Sequence, residues 1–340
     1  MCSQKIPFIS VILNCFNRRD YLYDALLGLS NQSADKEIFE VVLITDFVDN
    51  TIMDILSGFH FYKLVLETTP ILGDRLISGI KVATGEIIVL HDDDDIFLPE
   101  KVIEVFNVFQ SDEQIAYYHN NFKISSLCST NTRISHRVGH SKNQTKHSFC
   151  LKISDLSVET FRELISNNCD FNASCIAIRR SILNCDLLSG LSALEDTTFF
   201  VMGLISNHKI YVSSNILTIY RIHSTNNSIG KEKMFKDIYA KKSKFSNRQK
   251  SAILQIKKSI NSYNLQNYLY SKIDNYLNLE MLPALIFSNQ NSKWDMIILF
   301  YRFLKGERIL ELKTIAFLFL MAFIYISSKK LFYALYFIRQ

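Results

Sequence analysis

A chain of 340 residues is long enough for one large α/β domain with an appendage, and 48% hydrophobic and 21% charged content with only 10 Gly and 4 Pro excludes a disordered chain. The net charge of +5 is modest but uneven: residues 231–258 hold ten Lys and Arg against Glu232 and Asp237, a basic face whose ordinary reading is a solvated helix surface. Its functional readings are anionic lipid, a phosphate-bearing substrate or nucleic acid, and no nucleic-acid partner is expected. The seven cysteines are odd in number and lack a C-x-x-C pair, so neither a zinc site nor a disulfide framework is indicated. A polar Met1 to Pro7 runs straight into a strand, so a cytoplasmic, reducing location is expected.

Phe8 to Leu13 reads as a first buried strand, closed by Asn14-Cys15-Phe16-Asn17-Arg18. Asp20 offers an N-cap to a helix that runs to about Ser30, with Leu22, Ala25, Leu26 and Leu29 at helical spacing. Glu40 to Thr45 is a second buried strand with Asp46 at its end, and Tyr62 to Glu67 a short third. Asp74 to Thr84 reads as a helix with Leu76, Ile77 and Ile80 inward and Gly85 at its C-cap. Ile87 to Leu90 is another buried strand, and it ends in Asp92-Asp93-Asp94-Asp95 before a helix opened by Pro99. Ile115 to His119 and Phe149 to Ile153 look like strands, whereas Ser126 to Lys146, rich in Ser, Thr, Asn, His and basic residues, looks like an exposed loop. Strand character returns at Ala173 to Arg179, a helix follows Glu195-Asp196, and Ile210 to Val212 and Leu217 to Ile222 are two further strands.

Alternation of strand and helix predicts a parallel sheet with helices on both faces, whose ligands lie beyond the carboxyl ends of the strands. Asn14 to Arg18, Asp46 and Asp92 to Asp95 all occupy such ends. Four adjacent carboxylates repel one another unless a hard cation such as Mg²⁺ or Mn²⁺ bridges them to a ligand phosphate; the plainer reading is an acidic loop capping the next helix.

Four stretches then occur in one order: Phe8 to Arg19 with Asn31-Gln32, Gly79 to Ile88 running into the carboxylates and Pro99, Glu195-Asp196, and Tyr220-Arg221-Ile222-His223. In this the chain resembles family 2 glycosyltransferases of the GT-A fold over about residues 5–228. The resemblance implies an α/β, Rossmann-like mixed and mostly parallel sheet with flanking helices, followed by a helical C-terminal region. The division expected is a catalytic domain at 1–228, a basic helical linker or subdomain at 229–290, and an apolar-basic helical tail at 291–340. It implies an enzyme that moves a sugar from a nucleotide diphosphate donor to the hydroxyl of a glycan or lipid-linked acceptor, usually with inversion. Asn14 and Phe16 match the family's base-contacting loop, Asp46 its base-binding Asp, and Arg75 approximately its diphosphate-contacting arginine. Asp92 and Asp94 match the metal ligands, Asp93 a ribose or phosphate contact, and Asp196 the catalytic base. Glu195, His223 and Arg18 are further candidates, although the default place for Arg18 and Arg221 is the surface. A UDP-sugar is the favoured donor, but Thr45-Asp46-Phe47-Val48 departs from the family's usual Asp-Asp-Gly/Asn-Ser.

The resemblance has physical sense. Departure of an anionic diphosphate is eased by a cation at its phosphates, and a carboxylate opposite the leaving group can take the acceptor's proton. His91 is expected to be a packed core histidine. Two alternatives stay open, a sugar nucleotidylyltransferase and a non-catalytic sugar-nucleotide-binding domain; the first normally shows a glycine-rich phosphate loop, and residues 14–20 contain no glycine. The tail carries apolar clusters at Met296 to Tyr301, Ile315 to Ile326 and Leu331 to Ile338 between Lys and Arg. These are too short for an ordinary span and suit helices lying peripherally at the cytoplasmic membrane surface, or else a buried subdomain or a homo-oligomer interface.

Overall fold

The computed structural model describes residues 6–128, 135–140, 144–223, 235–263 and 265–287. Their parallel half-sheet is built from β1 (Ile9–Cys15), β2 (Phe39–Thr45), β3 (Tyr62–Leu66) and β4 (Ile87–Asp92), in the order β3-β2-β1-β4. The runs Val11-Ile12-Leu13 and Val41-Val42-Leu43-Ile44 are fully buried, as strands covered on both faces must be. In register, Asn14 of β1 stands beside Ile44 of β2 on one side and Asp92 of β4 on the other. The sheet order turns at β1, and such a switch opens a crevice beyond the strand ends.

The helices of this half are α1 (Leu22–Ser30), α2 (Asn50–Leu56), α3 (Leu72–Val82) and α4 (Lys101–Ser111). Asp49 caps α2 by accepting the Ile52 amide at 2.9 Å. Buried Val102, Val105, Val108 and Phe109 form the helical stripe that packs α4 into the core with Val11, Leu13, Leu26 and Val89.

The rest of the sheet is mixed. It adds β5 (Ile96–Phe97), β6 (Ile115–Cys128), β7 (Ser135–His140), β8 (Phe149–Lys152), β9 (Ile176–Arg179) and β10 (Lys209–Ile222). β9 lies antiparallel to β4 and β6, β10 runs parallel to β6, and β5 closes against β10. Three further helices are α5 (Val158–Ser166), α6 (Cys185–Leu188) and α7 (Glu195–Ile205).

Several local expectations are corrected. The cap of α1 is Tyr21, not Asp20, and α3 begins two residues earlier than expected and ends at an extended Ala83 rather than at Gly85. The polar stretch expected as a loop from Ser126 carries strand backbone: β6 continues to Cys128 and pairs antiparallel with β7. The two C-terminal strands are one, β10, whose register with β6 shifts between Ser213 and Ile216. Ala173–Cys175 winds into a short 3₁₀ turn before β9 starts.

The chain divides into two compact units, residues 1–156 with 164–229, and residues 157–163 with those from 230 onward. In the second, α8 (Phe235–Ile260) and α9 (Asn267–Phe287) are helices, and Lys257 Nζ donates to Asp274 Oδ1 and Asn278 Oδ1, both at 2.7 Å. The tail expected at 291–340 lies outside the described residues. Among the described residues, no helix is long and apolar enough to cross a membrane.

Candidate active site

The loop leaving β1 turns sharply because Asn17 takes a left-handed conformation (φ 57°), which Asn tolerates better than most residues. Its amide donates to Asp46 Oδ1 at 3.0 Å, and the buried Cys15 thiol donates to the Arg18 carbonyl at 2.9 Å, so the loop is closed at both ends. Arg18 is thereby directed back over the carboxylates. Its Nε donates to Asp93 Oδ2 at 2.9 Å, Nη2 pairs with Asp93 Oδ1, and Nη1 lies 2.8 Å from Asp94 Oδ2. The surface default is corrected for Arg18: it is an internal counter-cation.

It is corrected more fully for Arg221, which is only 1% exposed. The Arg221 amide donates to Asp95 Oδ1 at 3.2 Å, its Nε to the Asp94 carbonyl, its Nη2 to the Tyr21 carbonyl at 3.1 Å, and its Nη1 to Asp24 Oδ2 at 2.5 Å. Next along β10, the His223 ring stacks on Tyr21 at 4.1 Å and its Nε2 sits 3.0 Å from Asp94 Oδ2. Arg221→Met should remove the pin that shapes the carboxylate turn. Stranding the buried Asp94 carbonyl and the other acceptors is expected to lower unfolding stability by about 3 kcal/mol, read by chemical denaturation. Arg221→Lys should not restore it, because one ammonium cannot reproduce a guanidinium's divergent donors.

Across the crevice, Arg75 of α3 donates from Nε to Asn14 Oδ1 at 3.1 Å and from Nη1 to the Thr69 carbonyl at 3.0 Å, with its guanidinium 4.1 Å from the Phe16 ring centroid. Asn14, Phe16 and Arg75 are thus one cluster, joined to Asp46 through the Asn17 turn. Burial lowers the Arg75 pKa against the opposing effect of the Glu195 and Asp46 carboxylates.

The approach to Glu195-Asp196 is set by close packing on α3. Gly73 donates to the Leu191 carbonyl at 2.8 Å, and a Cβ at Gly73 would lie 1.8 Å from the Leu188 carbonyl oxygen, so only glycine fits. Gly190 donates to Asp74 Oδ1 at 2.9 Å, and Leu194 then adopts a left-handed backbone (φ 65°), a strained conformation for a bulky residue, before α7 begins. Asp196 accepts amides from Thr197 at 2.8 Å and Asn172 at 3.2 Å. A relay leads from it to the carboxylate run: the Asn172 amide donates to Asp196 Oδ2, the Ser174 amide to Asn172 Oδ1 at 2.9 Å, and the Asp92 amide to Ser174 Oγ at 3.0 Å.

Electrostatics follow from this crowding. Burial, then Glu195 and the other three aspartates, push the Asp92 carboxyl well above the usual range. Burial and Glu195 do the same to Asp196 against the pull of its two amides. Burial raises Asp95 to about 8, whereas the His223 hydrogen bond and Arg18 hold Asp94 low despite its burial. His91 is a packed histidine, stacked on Phe97 at 3.9 Å, with burial lowering its pKa to about 3.

Gly73, Asn172 and Ser174 were not legible as site residues, and Arg221 was legible only as a member of the Tyr220-Arg221-Ile222-His223 stretch, with the surface as its default place; a glycine two residues before Arg75 is the one sequence signal of the close approach. An open groove of about 640 Å³ between α4 and β10, lined by Glu104, Asn107, Tyr211 and Leu217 among others, contains none of this constellation.

With this geometry in place, comparison with known proteins gives it a family. The pattern described as glycosyl transferase family 2 matches residues 10–187, more than half of the chain. The chain belongs to glycosyl transferase family 2. Sugar transfer is the activity that the family's description names, and the mixed sheet of this chain is the GT-A fold. It is 29% identical over 108 residues to the poly(ribitol-phosphate) beta-glucosyltransferase of Bacillus spizizenii, covering 29% of this chain and 17% of that protein. It is 25% identical over 117 residues to an uncharacterized glycosyltransferase of Nostoc sp., covering 33% and 36%. The matched segments thus span well under half the length of these relatives. Among solved structures, S. aureus TarS 1-349 in complex with UDP-GlcNAc superposes with a TM-score of 0.54 at 16% identity, covering 83% of this chain and 74% of that one. Mannosyltransferase PcManGT from Pyrobaculum calidifontis, in complex with GDP-Man and Mn²⁺, gives 0.52 at 14%, covering 94% and 81%. At such identities the likeness speaks for the fold alone.

GT-A glycosyltransferases commonly use a divalent cation, and the residues here fit one by chemistry. Asp92 is a half-buried carboxylate destabilised by four others, and all the oxygens are hard donors. Among the described residues no three or more His, Cys, Asp or Glu are grouped closely enough to hold an ion alone.

Proposed function

We propose that this glycosyltransferase transfers a sugar from a nucleoside diphosphate donor to an acceptor hydroxyl with inversion, Asp196 serving as the base. The observation that carries this reading is the three-bond relay from the Asp92 amide through Ser174 and Asn172 to Asp196. It links the acidic strand end and the base candidate through successive hydrogen bonds, an arrangement that would favour a constant separation of the two groups. Asn14, Phe16 and Asp46 would receive the nucleoside, and Arg75 and Arg18 the diphosphate, to which guanidinium forks are matched. Asp93 would act through Arg18. A divalent cation held by Asp92 and Asp94 would neutralise charge on the departing diphosphate. Glu195 would keep the neighbouring Asp196 proton affinity high, which favours proton removal from a hydroxyl. A uridine donor and a glycan or lipid-linked acceptor are the substrates this reading takes forward.

The test is direct. The protein is incubated with UDP- and GDP-sugars, with and without Mn²⁺, while nucleoside diphosphate release and the anomeric configuration of the product are followed by NMR. Metal-dependent release with an inverted anomer is expected. A retained anomer would overturn Asp196 as the base of a single displacement, and no release from any donor would overturn the donor assignment.

A further inference from the structure

The segment whose Asn172 amide binds Asp196 also carries one ring of an aromatic cluster that none of the roles above uses. The Phe171 ring lies 5.6 Å from Tyr220 at 78° and 5.7 Å from Phe122, and Phe122 lies 6.0 Å from Tyr220 at 77°. Phe122 is the buried base of the cluster at 3% exposure, whereas Phe171 keeps 37% of its surface in solvent and Tyr220 is half-buried. The exposed ring is not there by looseness of its loop: the Phe171 amide donates to the Asn168 carbonyl at 3.1 Å, and its carbonyl lies 2.8 Å from His119 Nε2.

The two half-open rings belong to the two arms of the site. Phe171 immediately precedes Asn172, whose amide binds Asp196, and Tyr220 immediately precedes Arg221, which pins the carboxylate turn. The two rings in contact therefore come from the two segments whose backbone amides bind Asp196 and Asp95. A second observation points the same way. The Asn172 side chain is 5% exposed, and its Nδ2 has no hydrogen-bond partner among the described residues. An unpaired buried donor is unfavourable, and a small local shift that brought it to a ligand oxygen would relieve that penalty.

We propose that Phe171 and Tyr220 form an acceptor platform that takes a cyclic sugar, with the C–H face of a pyranose lying on the exposed Phe171 ring and a hydroxyl directed to Asp196. This rests on the glycosyltransferase reading of Asp196. The chemistry of the platform selects the class: the negative face of an aromatic ring attracts the weakly positive C–H groups on one side of a rigid pyranose. An acyclic polyol has no fixed face and would lose rotor freedom on being flattened against the ring. The assignment thus separates this chain from the ribitol phosphate polymer in the name of its Bacillus spizizenii relative.

The test is saturation-transfer NMR on the full chain with irradiation of aromatic protons. The probes are UDP, GDP, methyl β-glucopyranoside, methyl α-mannopyranoside and ribitol 5-phosphate. The expected result is transfer to pyranoside ring protons and to a nucleotide, but not to ribitol phosphate. Phe171→Leu, which keeps apolar volume without the π face, should cut the pyranoside signal about five-fold and leave the nucleotide signal unchanged, and Phe171→Tyr should keep both. Pyranoside signals indifferent to Phe171→Leu, or transfer to ribitol phosphate alone, would overturn the platform while nucleotide binding still supports the glycosyltransferase reading. Loss of the nucleotide signal together with the pyranoside signal in Phe171→Leu would make the ring a structural brace and overturn the platform too. Silence from both nucleotides in the wild type would bring down the donor reading first and the platform with it.

Discussion

Asp196→Asn is expected to lower sugar transfer by about 10² to 10⁴-fold while nucleoside diphosphate binding stays within about two-fold. An amide has nearly the same shape but no basic lone pair for the acceptor's proton, and none of the donor-side contacts at Asn14, Phe16, Arg75 or Arg18 passes through it. One of the two amides that Asp196 now accepts, from Asn172 or Thr197, would face an NH₂ group, so a stability loss of about 1 to 3 kcal/mol should accompany the kinetic effect. The pH profile provides a second reading. A base works when deprotonated, so transfer should rise with pH through the Asp196 pKa. Burial and Glu195 push that pKa well above 3.8, hence the acidic limb should lie at higher pH than an ordinary aspartate would give. Glu195→Gln removes the leading charge that raises it and should move the limb to lower pH. A limb that stays put in Glu195→Gln, or an Asp196→Asn enzyme that loses nucleotide affinity but turns over bound donor normally, would assign the base elsewhere.

The strands were legible where burial is two-sided. Ile9–Cys15, Phe39–Thr45 and Ile87–Asp92 are apolar, β-branched and punctuated by polar ends, and the structure puts those ends side by side. Legibility failed where the polar character of a segment serves pairing instead of solvent. Ser213-Ser214-Asn215 interrupts the apolar pattern of β10 at a register shift and so reads as a break between two strands. The backbone after Ser126 looks like a loop by composition but pairs as a strand with β7. Side-chain destinations were harder still. Arg18 and Arg221 carry no local mark that separates a surface arginine from one turned inward; their partners Asp93, Asp94 and Asp24 lie up to 197 positions away in the chain. Asn172 acts through its backbone amide and its side-chain Oδ1; an asparagine suits its left-handed turn, but nothing in the local sequence marks which carboxylate its amide meets.

Arg18→Gln is expected to bind Mn²⁺ about ten-fold more tightly than the wild type when no nucleotide is present, a change of about 1.4 kcal/mol. The guanidinium already engages both oxygens of Asp93 and Oδ2 of Asp94, with 20% of its side chain exposed and the carboxylates largely buried. Charge-assisted bonds of this kind compete directly with any other cation for Asp94. Removing Arg18 leaves Asp92 to Asp95 with His223 and Arg221 as neighbours, an acidic turn that should draw a divalent ion without help from phosphate. In the wild type the order is reversed: the ion should bind weakly alone and tightly with UDP or GDP, because the diphosphate offers Arg18 a new partner when it gives up Asp94. The same variant should therefore bind nucleoside diphosphate more weakly in the absence of metal. Free Mn²⁺ measured by electron paramagnetic resonance at pH 8, well above the ordinary carboxylate range, reads the first effect without any turnover, and calorimetry with UDP reads the second. Adding Asp94→Asn to Arg18→Gln should abolish the gain in Mn²⁺ affinity, since it removes the oxygen that Arg18 was guarding. Equal Mn²⁺ affinity in wild type and Arg18→Gln would mean that the guanidinium and the ion do not share Asp94, and the ligand set would then have to be sought at Asp92 and Glu195.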